Sequence, residues 1–140
     1  MNTRPVSTGL GAPQLLRANC LVSDAVGDAV CITGDRVGDL YQVTRVDIDN
    51  SNPRQAIAVG VIKSKSSSTL CLVQVSGEMR SLYSGLTPNR PIFVGVDGRL
   101  TQTRPPAPVT GKRMLRCMGQ ALADDVLLIS PWSPTAIVPV

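Results

Sequence analysis

Proline placement constrains this chain more than any other feature. Prolines stand at positions 5, 13, 53, 88, 91, 105, 106, 108, 131, 134 and 139. Each fixes φ and removes a backbone donor, so few windows remain for a helix of ordinary length. The residues that build exposed helix are also scarce, with one Glu and three Lys in 140 residues. Valine is abundant, and glycine punctuates the whole length. The sequence therefore predicts an all-β fold, and a chain of this size buries a core without needing a disulfide or a metal.

Short apolar pieces at close spacing predict the strands Leu15–Val22, Ala29–Thr33, Leu40–Ile48, Gln55–Lys63, Leu70–Ser76, Met79–Tyr83, Pro91–Val96, Leu100–Thr103, Met114–Leu122 and Val126–Ser130. Such spacing suits a sandwich or a barrel. Within Gln55–Lys63, Ile57, Val59 and Val61 share one face and Ala56, Ala58 and Gly60 the other. That strand is expected to be covered on both sides, with something packed close to its Ala/Gly side. In Leu40–Ile48 the apolar phase shifts near Thr44-Arg45, as a bulge or bend would require. Asp97-Gly98 predicts a two-residue hairpin turn. Asn52-Pro53 and the run Lys63–Ser68 read as exposed loops. Residues 1–14 form an extended arm without hydrophobic period, residues 15–135 a single domain and residues 136–140 a tail. With so little to bury, the arm is expected to be flexible, yet Arg4, Val6 and Leu10 equip it to dock as a strap on a neighbour.

There is no histidine, which removes the commonest general base and metal ligand and every Ser-His or Cys-His pair. Lys63, Ser64 and Lys65 are consecutive and point to alternate faces, so they make no Ser-Lys site. Asp47, Asp49, Asn50 and Asn52 lack the glycine and closing glutamate of a calcium loop, and read as Asx turns. Cys20, Cys31, Cys71 and Cys117 include no C-x-x-C pair and lie in apolar surroundings. The expectation is four thiols and no zinc, in a chain made in a reducing cytoplasm, since the N-terminus lacks the apolar core of a signal peptide. No catalytic residue and no cofactor is expected.

The net charge is +4, and the aromatics are only Tyr41, Tyr83, Phe93 and Trp132. Single-strand binders stack bases on aromatic platforms, so no nucleic-acid partner is expected here. The longest apolar runs are too short to span a membrane, and no membrane partner is expected either. Eleven of the fourteen cations are Arg, a residue suited to protein interfaces. The densest basic groups are Lys112 with Arg113 and Arg116, and Arg99 with Arg104. With Arg4 and Trp132, these are the candidate partner contacts. Trp132, between Pro131 and Pro134, either plugs the end of a sandwich or anchors an interface.

The segment Leu82–Pro131 contains a turn, the hairpin Phe93-Val94-Gly95-Val96-Asp97-Gly98-Arg99-Leu100-Thr101, a Pro-rich crossing and a final Gly119-Gln120-Ala121-Leu122 strand pair. It resembles the closing module of the cement, or decoration, proteins of tailed bacteriophage capsids. With Ala25–Gly34, Val43–Asn50 and Ala56–Met79 in front, the resemblance covers roughly residues 15–135. It implies a jelly-roll-like β-sandwich on the outer surface of a virion, bridging copies of the major capsid protein and associating with itself as a dimer or other homo-oligomer, with no catalytic residue to carry over. A carbohydrate- or receptor-binding jelly-roll module of a virion is the alternative, against which the scarcity of aromatics weighs.

Overall fold

A computed structural model describes residues 12–139. Arg4 and the arm as far as residue 11 lie outside the described residues. The chain is all-β, with 46% strand and 3% helix. The strands are β1 (Gln14–Asn19), β2 (Ala29–Ile32), β3 (Tyr41–Arg45), β4 (Gly60–Lys65), β5 (Leu70–Arg80), β6 (Pro91–Val94), β7 (Leu100–Thr101), β8 (Arg113–Leu115), β9 (Cys117–Ala123), β10 (Val126–Ile129) and β11 (Thr135–Ile137), and the short helix α1 is Pro53–Ala56. No helix among the described residues is long and apolar enough to cross a membrane.

Nine strands run in the order β1-β3-β2-β4-β5-β10-β9-β6-β7, and β1 also pairs with β5. That second pairing closes β1, β3, β2, β4 and β5 into a barrel, and closure removes the edges of those five strands. The remaining four strands continue from β5 as an open sheet, and β8 with β11 forms a separate ribbon.

Two cores follow from this arrangement. One contains Ala18, Val30, Val43, Ile62, Cys71 and Val73, with at least one residue from every barrel strand. The other joins Ala29, Cys31 and Val61 of the barrel to Met79, Ile92, Val94, Met118, Leu127 and Ile129 of the open sheet. Neighbours Val61 and Ile62 enter different cores, as strand alternation requires of a strand covered on both faces. The expected close packing on the Ala/Gly side is present: a Cβ on Gly60 would come within 2.5 Å of the Gln74 carbonyl oxygen.

Several elements differ from the sequence reading. Gln55–Lys63 is not one strand. Asn52 caps α1 by accepting from the Arg54 amide at 3.1 Å, and Pro53 opens the helix. An Asx cap followed by Pro is a helix-start signal that overrides the strand-like alternation of only three residues beyond it. Leu70–Ser76 and Met79–Tyr83 merge into β5, bent at Gly77 with φ +93°. The Gln74 side chain bridges the bend, donating to the carbonyls of Ser76 at 3.1 Å and Glu78 at 2.8 Å. The phase shift at Thr44-Arg45 is not a bulge. β3 ends at Arg45 in regular register with β2, and Val46 and Ile48 pass into the second core.

The hairpin at Asp97-Gly98 spans more than two residues. Its ladder closes at Val94 and Leu100, and the Gly95 amide donates to Arg99 while the Gly98 amide donates to Gly95. Met114–Leu122 divides into β8 and β9 around Arg116. Thr135–Ile137, which carries no apolar alternation, becomes a strand by pairing with β8.

Candidate functional site

The six candidate contacts among the described residues are brought to different places and given different work. Arg99, Arg113 and Arg116 all turn inward. Arg99 follows the β6–β7 hairpin loop and reaches back to the β1–β2 loop. Its Nη1 lies 3.2 Å from Asp28 Oδ1 and 3.4 Å from the Val26 carbonyl oxygen. Its guanidinium also stands over the Tyr83 ring, 5.4 Å from the centroid. Tyr83 Oη donates to the Gly27 carbonyl and accepts from the Leu100 amide. Asp28 is 2% exposed, and its other oxygen accepts from the Ala25 amide at 2.9 Å. Burial of the Tyr83 hydroxyl raises its pKa above the usual phenol value.

Arg116 sits between β8 and β9. Its Nη1 donates to the Ala58 carbonyl at 2.6 Å and its Nε to the Trp132 carbonyl at 2.8 Å. Partial burial without a carboxylate lowers its pKa. Arg113 pairs with Asp49 through Nε at 2.7 Å and Nη2 at 3.2 Å, and donates to the Pro106 carbonyl at 2.8 Å. The hydrogen bonds that Arg113 donates to the Asp49 carboxylate raise the Arg113 pKa. These three arginines therefore act as clasps between the later strands and the earlier part of the chain.

Arg104 and Lys112 are exposed, and neither has an ion-pair partner among the described residues. They lie on the Pro-rich crossing from β7 to β8, whose tip presents Val109 at 92% exposure. Trp132 does not plug the molecule. It is 66% exposed, and its amide donates to the Cys117 carbonyl at 2.9 Å.

Beside Trp132 runs a groove of about 610 Å³, lined by Phe93, Leu115, Cys117, Leu128 and Trp132 with polar groups from Asn89, Gln120 and Ser130. Phe93 pairs with Cys117 and Leu128 with Gln120, whereas the intervening Ile92, Met118 and Leu127 are buried in the core. The groove floor is thus the outer face of the β10-β9-β6 sheet, whose inner face is core. Sequence reading placed Phe93 and Leu128 in strands without separating the two faces. The signal for it was present in Pro91–Val94 and Val126–Ile129, whose near-continuous apolar runs mark strands apolar on both faces.

The other groups weighed from the sequence have structural partners. Asp47 accepts from the Asp49 amide at 3.0 Å and Asn50 from the Asn52 amide at 2.8 Å, so the oxygen-rich segment is a series of Asx turns. Among the described residues no group of three His, Cys, Asp or Glu side chains is placed to hold a metal ion. All four cysteines are free thiols. Burial, followed by the neighbouring Cys20, pushes the Cys71 thiol up to about 12. Asp24, in the loop between β1 and β2, is 4% exposed and accepts from the amides of Leu21 and Arg45. Comparison with protein-family models, curated proteins and solved structures finds no match to this chain.

Proposed function

We propose that this chain is a capsid cement protein, binding the outer face of a phage head and bridging neighbouring major capsid subunits. The observation that carries the reading is the surface of the β7–β8 crossing. Val109 stands almost fully exposed there, on the same crossing that carries the exposed cations Arg104 and Lys112. A loop with an exposed apolar residue and cations that have no ion-pair partner among the described residues suits an acidic protein surface. The crossing belongs to the Leu82–Pro131 segment on which the resemblance to cement proteins rests. A jelly-roll arrangement is part of the same reading, supported by the two apolar layers of the second core. Weak contacts of this kind act by multivalency, since many identical sites on a symmetric shell sum to a large stabilisation. A protein that binds the assembled shell and not the free subunits stabilises the shell by mass action.

The test is mass analysis of purified particles. The reading expects this protein at a fixed ratio to the major shell subunit, and particles lacking it to open at lower temperature. Absence from particles, or identical melting with and without it, rejects the role.

A further inference from the structure

The outer face of the β10-β9-β6 sheet holds a constellation that the core does not account for. Phe93 and Trp132 are both fixed on Cys117, Phe93 as its strand partner and Trp132 through its amide. Two of the chain's four aromatic residues therefore line one groove. Asn89 and Ser130 are tied to β9 as well, their amides donating to the Ala121 and Met118 carbonyls at 2.8 Å. Gln120 reaches the groove through a bulge. Met118 and Ala121 both enter the core, three residues apart where regular alternation allows only even spacings. The register shift opposite Ile92 and Phe93 accommodates the extra residue. Gly119, at φ +138°, has no room for a Cβ against the Leu128 carbonyl oxygen. A bulge of this kind re-aims a side chain, here Gln120, and bulges are over-represented beside functional sites.

The groove's chemistry narrows what it can hold. β10, β9 and β6 are all interior strands, so the floor offers no free row of backbone groups for an extended peptide to pair with. None of the lining residues is charged, and Arg116 is turned to the Ala58 and Trp132 carbonyls. An ionic ligand would find no counter-charge there. What remains is two aromatic rings beside the exposed Asn89, Gln120 and Ser130, whose amides and hydroxyl both donate and accept. A neutral sugar ring presents the complement, with C–H groups on its face and hydroxyls around its rim. The volume of about 610 Å³ falls within the roughly 300–1,000 Å³ of small-ligand sites.

We propose that this groove binds an uncharged glycan. A pyranose ring stacks on Trp132 and Phe93, and Asn89, Gln120 and Ser130 hydrogen-bond its hydroxyls. The scarcity of aromatics along the sequence does not count against this site, because the fold gathers two of them in one place. The inference does not rest on the capsid reading, and its test uses the isolated protein without particles.

Cellohexaose, maltohexaose, chitohexaose and mannohexaose are titrated into the full chain by calorimetry, with hexagalacturonate and decaproline as acidic and peptide comparisons. Trp132 is the only tryptophan, so its emission reports on the groove alone. The expected result is a Kd below about 1 mM for at least one neutral hexasaccharide, with a blue-shifted emission. Trp132→Ala should weaken that binding roughly tenfold, by loss of the stacking face. Gln120→Ala should weaken it roughly fivefold, by loss of a hydrogen bond. Both side chains are exposed, so circular dichroism should be unchanged, and Trp132→Phe should restore most of the affinity. No heat with any neutral hexasaccharide at about 10 mM overturns the proposal. So does binding that neither alanine variant weakens, or tighter binding of hexagalacturonate or decaproline than of every neutral sugar. An emission shift produced by protein concentration alone, without sugar, assigns the groove to a second copy and also overturns it.

Discussion

The closed barrel and the later strands β6–β11 solve the problem of stability differently. In the barrel every strand is paired on both sides, and its interior is filled by Ala18, Val30, Val43, Ile62, Cys71 and Val73 without a charge among them. Backbone pairing and burial suffice there. The later strands form an open sheet and a two-stranded ribbon joined by Pro-rich crossings, and much of their outer face is exposed. They share a core with the barrel, and they are also tied to the earlier chain by Arg99, Arg113 and Arg116. A region poor in ladder pairing uses charge-assisted hydrogen bonds to carbonyls and carboxylates instead. Cations that look free in the sequence can therefore be internal fastenings.

The largest effect should come from removing the buried end of a clasp. Asp28→Ala strips the partner from Arg99 and the acceptor from the Ala25 amide at a 2% exposed position. Loss of a buried partner costs about 3–5 kcal/mol, and the half-exposed Arg99 places the expected loss at the lower end, about 3 kcal/mol by denaturant unfolding. A loss below about 1 kcal/mol would mean that the later strands hold to the barrel by burial alone.

Much of this architecture could be read in the sequence. The prolines and the scarcity of helix formers led to an all-β chain, and the two apolar faces around Val61 led to a strand covered on both sides. Barrel closure was not visible, because it depends on β1 pairing with both β3 and β5, partners 23 and more residues away with no local signature. Helix α1 was hidden because Asn52-Pro53 serves a loop and a helix start equally well. The clasps were misread for a related reason. Charge density along the sequence marks Lys112, Arg113 and Arg116 alike, and only the fold decides which of them meets Asp49 or the Ala58 carbonyl. Of the two roles weighed for Trp132, plugging the end of a sandwich does not survive its exposure.

A smaller effect should separate the solvent-side clasp from the buried one. Arg113 pairs with an Asp49 that is 44% exposed, so Arg113→Ala should cost about 1 kcal/mol, and less at high salt, where exposed pairs are screened. A salt-independent loss would instead assign the cost to the Pro106 carbonyl contact.

The barrel's own sensitivity should appear only in alkali. The Cys71 thiol stands at about 12 in the fold against an ordinary 9.0. A raised pKa favours the neutral thiol in the folded state, so its stabilisation is complete below pH 9 and is lost as pH rises toward 12. Tyr83 is shifted in the same direction and adds to the loss at the junction. Stability measured from pH 7 upward should be flat to about 9 and then fall. Native-state alkylation at pH 8 should modify the half-buried Cys117 before Cys71. A fall that begins below pH 8, or early labelling of Cys71, would contradict this picture of the barrel interior.

The inward role of the arginines is tested most directly by the denaturant midpoints of Arg116→Ala and Lys112→Ala, measured side by side on the isolated protein. Arg116→Ala leaves the carbonyl of the 1% exposed Ala58 without its donor and should lower stability by about 2 kcal/mol. Lys112→Ala removes an exposed charge with no ion-pair partner among the described residues and should change stability by less than about 0.5 kcal/mol. Two midpoints that move equally little would contradict the account, and would return Arg116 to the surface as a contact for some other molecule.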